Sequence, residues 1–320
     1  IIYPYEAGYS VQKQNLNSDQ VSGIDGMVRW NDRVNDFNYF VVVNLTLARQ
    51  KTINNYGEVF LNGWDQYRWA QTNRWSNVKN GAVWMWETIG VFQTQEEIDN
   101  YPVNIDGANN VNLRPGDLIF KDVNGDGLID DYDKRPLGYA ATDYDWDSGN
   151  ANKNPLLSMG INLGFEYKGI DFAADFAGGF MNTFIGDWHV KYGIGTDQMG
   201  YVYNVIDSWQ HEDIFDTKSP WKRGKFPAVR SNNPSIRDWN DFYAKEINYL
   251  RLRNLVVGYT LPIKWTKKAL IQKLRVYFEG SNLLCWDSLN DFGFDPEISS
   301  VTGFDYPQHK VYTVGVNVTF

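Results

Sequence analysis

The sequence predicts an all-β fold built of long antiparallel strands. Three features carry that reading: apolar residues alternate with small or polar ones over ten residues or more, the joins between these segments are short and long in strict alternation, and no apolar run approaches the length of a membrane helix. The alternation is plainest in Met159, Ile161, Leu163, Phe165 and Tyr167, separated by Gly160, Asn162, Gly164 and Glu166. It returns in Ile170, Phe172, Ala174, Phe176, Gly178 and Phe180 against Asp171, Ala173, Asp175, Ala177 and Gly179. Phe37, Tyr39, Val41, Val43, Leu45 and Leu47 share one face of an earlier strand, and Ile24, Val28 and Trp30 mark a shorter one before it.

Three strands follow towards the end. The segment 246–261 shifts its apolar phase between Leu252 and Leu255, which predicts a bulge. Leu274, Val276 and Phe278 begin the next strand. Tyr312, Val314, Val316, Val318 and Phe320 lie on one face of the last, with Thr313, Gly315, Asn317 and Thr319 on the other.

A soluble β-sandwich with one buried face would alternate in the same way. The joins decide against it. Those at 31–36, 168–169 and 262–272 are short, whereas those at 50–155, 182–245 and 285–308 are long. Membrane barrels of the outer-membrane type have short periplasmic turns and long extracellular loops. An 11-residue strand tilted by ~45° rises ~25 Å, the height of their apolar band. The expectation is therefore the C-terminal strands of a large antiparallel transmembrane β-barrel, with long extracellular loops at 51–155 and 182–245 and a periplasmic C-terminus. An open sheet edge is not tolerated in lipid, so further strands are expected before Ile1. The turn after Leu261 carries Trp265 beside Lys264, Lys267 and Lys268, a mixture suited to a headgroup boundary and equally to an exposed helical turn.

Composition narrows the function. A formal charge of −9 argues against nucleic acid as a partner. Cys285 is the single cysteine, so there is no disulfide framework. His189, His211 and His309 lack zinc-ligand spacing, and there is neither a P-loop nor a dinucleotide fingerprint; no catalytic set emerges, and the chain is not expected to be an enzyme. The 13 Trp and 16% aromatic content suit interface girdles or sugar-stacking platforms. Trp64, Trp69, Trp75, Trp84 and Trp86, clustered in one long loop, are candidate ligand-binding faces, although each is individually better explained by loop packing or by contact with a partner protein.

The sharpest local motif is Asp122-Val-Asn-Gly-Asp-Gly-Leu-Ile-Asp-Asp-Tyr-Asp133. Oxygen ligands at Asp122, Asn124 and Asp126, glycine at Gly127, the Leu128 carbonyl and acids at Asp130 and Asp133 follow the spacing that wraps hard oxygen ligands around Ca²⁺. Asp133 replaces the usual longer Glu. The expected ion is Ca²⁺ in a structural role; the bland alternative is a turn rich in Asp, Asn and Gly that holds no metal.

With these features in place, the chain resembles the SusC/RagA-like TonB-dependent outer-membrane importers. Gly90-Val-Phe-Gln-Thr-Gln-Glu-Glu-Ile-Asp99 is similar to a segment of that family, and within it Thr94 and Glu97 form a plausible helix capping box. Pro115-Gly-Asp-Leu-Ile-Phe-Lys-Asp-Val-Asn-Gly-Asp-Gly-Leu-Ile-Asp130 resembles a second. Tyr249-Leu-Arg-Leu-Arg-Asn-Leu-Val-Val-Gly-Tyr-Thr-Leu-Pro262, Leu274-Arg-Val-Tyr-Phe-Glu-Gly-Ser-Asn-Leu283 and Thr313-Val-Gly-Val-Asn-Val-Thr-Phe320 complete the likeness over essentially the whole of 1–320. The resemblance implies a barrel of about 22 strands with a plugged lumen, of which this is the last part. It further implies energy from TonB, a SusD-like surface lipoprotein as partner, and an oligosaccharide or, less often, a peptide as cargo. The reading from another functional class is a soluble calcium-stabilised carbohydrate-binding module or hydrolase; a third is a non-transporting adhesin barrel.

Overall fold

A computed structural model describes residues 18–54, 62–67, 82–139, 155–185, 207–230, 233–236, 240–289, 295–297 and 308–320. Its centre is a seven-stranded antiparallel sheet. The strands are β1 (Ser18–Val34), β2 (Phe37–Asn54), β7 (Leu157–Tyr167), β8 (Ile170–Ile185), β11 (Ala244–Thr260), β12 (Lys273–Asp287) and β13 (Val311–Thr319), adjacent in chain order. All seven expected strands are present. The sheet does not close: β1 and β13 are its edges.

The register explains the alternation. One row across the sheet pairs Tyr39 with Phe165, Phe165 with Phe172, Phe172 with Val257, Val257 with Phe278 and Phe278 with Val314. One residue along, the row runs Asn38, Glu166, Asp171, Gly258, Tyr277, Gly315. Successive side chains of a strand point to opposite faces, so these rows define an apolar face and a face of polar and small residues. On the polar face Asn162 Nδ2 donates to Asp175 Oδ1 at 2.7 Å. Glycines there make room for large neighbours: the Phe40 ring lies over Gly164 and the Tyr277 ring over Gly315. Pairing shifts between Leu252 and Asn254, where the bulge was expected.

The short joins lie at one end of the sheet. Lys168 and Gly169, both at positive φ (47° and 87°), make a two-residue turn whose twist suits a hairpin. The first join is tighter than expected. Strand pairing continues to Val34 opposite Phe37, leaving only Asn35 (φ 55°) and Asp36 in the turn, because the polar residues of 31–34 pair across to β2 instead of forming a loop.

At the opposite end, connections 55–156, 186–243 and 288–310 fold together. The first carries β3 (Ala82–Met85) paired with β6 (Arg135–Tyr139), and β4 (Thr88–Val91) paired with β5 (Leu118–Phe120). Between them lies a short helix α1 (Gln95–Asp99). The second carries the small hairpin of β9 (Gln210–His211) and β10 (Trp221–Lys222). Their shared core contains Trp86, Phe92, Ile105, Leu118, Phe120 and Ile129 from the first connection, Phe226 and Tyr243 from the second and Leu289 from the third, with Ile247 of β11 beneath. The described parts of the long connections therefore share one core standing on the sheet.

Candidate functional site

Connections of this kind, carried on a rigid sheet, are where binding concentrates, and the two loop motifs singled out in the sequence are paired in space. Gly90 and Val91 of β4 lie opposite Ile119 and Leu118 of β5. Thr94 caps α1, its hydroxyl accepting from Glu97 N–H at 3.2 Å. The reciprocal bond expected of a capping box is displaced by one residue: Glu97 Oε2 accepts from Gln93 N–H at 2.7 Å.

The first and second connections are joined by buried polar contacts. Asp117 is fully buried; its Oδ2 accepts from Arg114 N–H at 2.7 Å and pairs with the Arg230 guanidinium. Burial pushes the Asp117 carboxyl above its usual range, against the opposing pull of Arg230. Leu118 N–H donates to Ser235 Oγ at 2.8 Å, and Thr88 N–H to Asp241 Oδ1 at 2.8 Å. Gly116, at φ 94°, lies directly against the ring of Trp209, which is itself buried. The third connection is clamped to β11. Arg251 Nη2 stands 2.6 Å from both oxygens of Asp295, and Glu297 lies between Arg251 and Arg253.

The oxygen-rich loop runs from β5 into a 3-10 turn at Asp131–Asp133. Asp122 accepts from Gly125 N–H (2.7 Å) and Gly127 N–H (2.8 Å), Asn124 Oδ1 from Asp126 N–H (3.1 Å), and Asp126 Oδ1 from Leu128 N–H (2.9 Å). Gly125 and Gly127 supply the positive φ angles, 77° and 81°, that this winding requires. Asp130 Oδ1 accepts from Tyr132 N–H at 2.7 Å. Asp133 is fully buried and acts as an internal clasp, with Oδ1 on Val123 N–H (2.7 Å) and Oδ2 on Asp130 N–H (2.9 Å). The donor types are those a hard cation takes, and a carboxylate oxygen that accepts one N–H keeps a further lone pair. Among the described residues, no three His, Cys, Asp or Glu side chains are gathered closely enough to hold an ion.

The candidate tryptophans separate. Trp69 and Trp75 lie outside the described residues. Trp84 and Trp86 depart from the expectation of ligand faces: they are 7% and 2% exposed, packed inside the loop body. Trp86 Nε1 donates to the Asp130 carbonyl at 2.7 Å, and its ring packs on Phe120, so it fastens the oxygen-rich loop to the core. Trp64 is half-buried, stacked on Tyr67 at 5.5 Å between ring centres and tilted against Tyr132 at 5.3 Å. Tyr67 and Tyr132 are the exposed members of this cluster, 41% and 49%. They escaped the sequence reading because only the fold brings residue 132 to residues 64–67.

No family model matches the chain. By sequence it is 25% identical over 344 residues to TonB-dependent receptor P3 and 24% identical over 340 residues to TonB-dependent receptor P26, both of Formosa agariphila. These alignments cover 99% and 100% of the chain, which spans 30% and 31% of the relatives' lengths. A third receptor of that organism, P39, is 25% identical over 253 residues. In fold the chain matches a structure of the RagAB peptide importer in an open-open state, with a TM-score of 0.63, 20% identity and coverage of 100% of this chain and 31% of that one. A RagAB peptide transporter structure matches at 0.59 with 22% identity. These relatives are receptors and transporters, not enzymes. The chain is thus similar in sequence to part of TonB-dependent receptors, and its fold matches part of a transporter β-barrel.

Proposed function

We propose that this chain forms part of the wall and mouth of an outer-membrane importer that takes up an oligomeric nutrient, most simply an oligosaccharide, with energy supplied through TonB and a SusD-like surface lipoprotein above the mouth. The observation that carries the reading is the union of three long connections into one body at a single end of a two-faced sheet, with an apolar face on one side and a polar face on the other. That is the arrangement a barrel wall needs if it meets lipid outside, cargo inside and a partner at the rim. In this reading connections 51–155 and 182–245 are extracellular, and the short turns and the C-terminal end are periplasmic. Cysteines placed at the exposed positions Val111 and Asp216 should react with an impermeant reagent on intact cells. Reaction only after permeabilisation would invert the topology.

Oligosaccharide cargo is supported by the Trp64, Tyr67 and Tyr132 cluster, whose exposed rings offer apolar faces to sugar rings. Peptide cargo is the second reading, favoured by the fold match to the RagAB peptide importer. Binding of labelled oligosaccharides and of labelled peptides to the full-length receptor decides between them. A Tyr67→Ala/Tyr132→Ala variant should weaken the former if the cluster holds sugar.

The same reading includes a structural Ca²⁺ that would draw together the side chains of Asp122, Asn124, Asp126, Asp130 and Asp133 and the Leu128 carbonyl, which stand apart without it. The ion would lock the loop that Trp86 fastens to the core. Calcium should raise the unfolding temperature of the chelator-treated receptor, and Asp122→Asn/Asp126→Asn should abolish that response. An equal response to Mg²⁺ would argue against the site, since Mg²⁺ demands a stricter octahedron than a flexible loop provides.

A further inference from the structure

The turn joining β11 to β12 is basic and apolar at once, and its apolar side chains stand exposed among the described residues. It holds a short helix α2 (Ile263–Thr266) and a 3-10 turn at Lys267–Ala269. Thr266, only 5% exposed, anchors the centre. Its carbonyl accepts from Ile271 N–H at 3.3 Å, and Gln272 N–H reaches the Thr319 carbonyl of β13 at 2.8 Å. From this frame Ile263, Trp265 and Leu270 project into solvent, 59%, 67% and 84% exposed. Leu270 also sits at φ 60°, a left-handed conformation that glycine or asparagine adopts more easily. A leucine kept in that conformation and in water is poorly explained by the fold of the turn alone.

Within the turn itself the charge has one sign. Lys264, Lys267 and Lys268 are exposed, and no Asp or Glu occurs between Leu261 and Lys273 in a chain whose formal charge is −9. The neighbouring turn, joined through Thr260 N–H to the Gly169 carbonyl at 2.7 Å, adds Lys168, its ammonium 5.1 Å from the centre of the Tyr167 ring. The apolar face of the sheet continues down to this end: Tyr167 pairs with Ile170, Ile170 with Tyr259 and Tyr259 with Val276. In the membrane reading, the apolar side chains of the turn would extend the lipid-facing surface of the sheet, with the lysines at its headgroup edge.

We propose that the 261–272 turn is a lipid anchor that selects anionic phospholipid headgroups in the leaflet at the short-turn end, with Trp265 and Leu270 inserted and Lys264, Lys267 and Lys268 paired with phosphate. The occupant follows from charge complementarity and from continuity with the apolar face of the barrel. The proposal rests on the membrane reading and on the periplasmic placement of the short turns, where the leaflet is phospholipid.

The test uses the full-length receptor reconstituted in phosphatidylcholine, with spin-labelled phosphatidylglycerol or phosphatidylcholine competing for its surface. Wild type should favour phosphatidylglycerol, and high salt should remove the preference by screening. Each lysine at an anionic surface is worth roughly a five-fold gain in association, so Lys264→Gln/Lys267→Gln/Lys268→Gln should lower the preference by about tenfold or more. Replacement of the same three by Arg should keep it. Equal binding of the two lipids by wild type, a preference insensitive to salt, or a stronger preference for a lipid A-type glycolipid would each overturn the anchor. Labelling of a cysteine at Lys268 in intact cells reports separately on topology, so failure of the membrane orientation is distinguishable from failure of the anchor.

Discussion

Arg275 of β12 reaches across β11 to Asp171 of β8, its Nε 3.0 Å from Asp171 Oδ1. The residue between them is Gly258, which pairs with Asp171 on one side and with Tyr277 on the other. Any Cβ there would run into both charged groups. The guanidinium also lies 4.9 Å from the centre of the Tyr277 ring, and that ring covers Gly315 of β13. One stack of side chains thus ties four strands together on the polar face.

Gly258→Ala should uncouple this pair. Partly exposed ion pairs contribute about 0.5–1 kcal/mol, so the coupling measured in an Asp171→Asn/Arg275→Gln cycle should be of that size in the wild-type background. It should vanish when Gly258 is Ala. Thermal unfolding of the full-length receptor in detergent reads both, and an undiminished coupling in the alanine background would disprove the role given to Gly258.

The Asp117–Arg230 pair predicts a larger and pH-dependent effect. Arg230→Met leaves a fully buried carboxylate without its partner and should destabilise the loop body by about 3–5 kcal/mol, while Asp117→Leu/Arg230→Met should recover most of the loss. The folded carboxyl already titrates above its ordinary value, because burial outweighs the pull of Arg230. A group raised in this way contributes stability that is complete below the ordinary carboxylate range and is lost as pH climbs through the raised value. The defect of Arg230→Met should therefore be greatest at neutral pH and shrink on acidification. Protease resistance of the connections, followed against pH, measures it.

Gly116 should tolerate no side chain. Its φ of 94° is strained for any L-residue, and a Cβ would enter the Trp209 ring. Gly116→Ala should separate the first and second connections, whereas Gly125→Ala, at φ 77° with open space around it, should cost only the backbone term of about 1–2 kcal/mol. Hydrogen exchange at Phe92, whose carbonyl accepts from Gly116 N–H at 2.7 Å, and at Trp209 would show the difference.

The apolar face predicts a fourth result. Val316 pairs with Val276 and lies 56% exposed on that face. Val316→Arg should cost about 2–4 kcal/mol if the residue lies near the bilayer midplane, and Asn317→Arg, on the other face, should be tolerated. Equal damage from both substitutions would show that the register is wrong.

Strands and their faces were legible in the sequence because a period of two is a local property. Met159 to Tyr167 and Tyr312 to Phe320 needed no partner to be read, and the bulge after Leu252 announced itself as a break in phase. Three of the neighbour pairs followed from the short joins, since such turns connect antiparallel neighbours, whereas the pairings β2–β7, β8–β11 and β12–β13 span the long connections and are not fixed by join length. The oxygen-rich loop was legible for the same reason, with its ligand types and glycines lying within 12 consecutive residues, 122–133. Tertiary structure alone decided what the long connections do. Phe226 and Leu289 carry no local mark of sharing a core with Phe92, and the pairing of Asp117 with Arg230 crosses 113 positions. For Trp84 and Trp86 the sequence left ligand faces and loop packing both open, with packing the better explanation of each, because aromatic composition does not reveal burial. Trp84 packs against Trp64 and Tyr67 of its own connection, and Trp86 against Phe120 of β5 and the backbone of Asn240 from the second, leaving Tyr67 and Tyr132 at the surface.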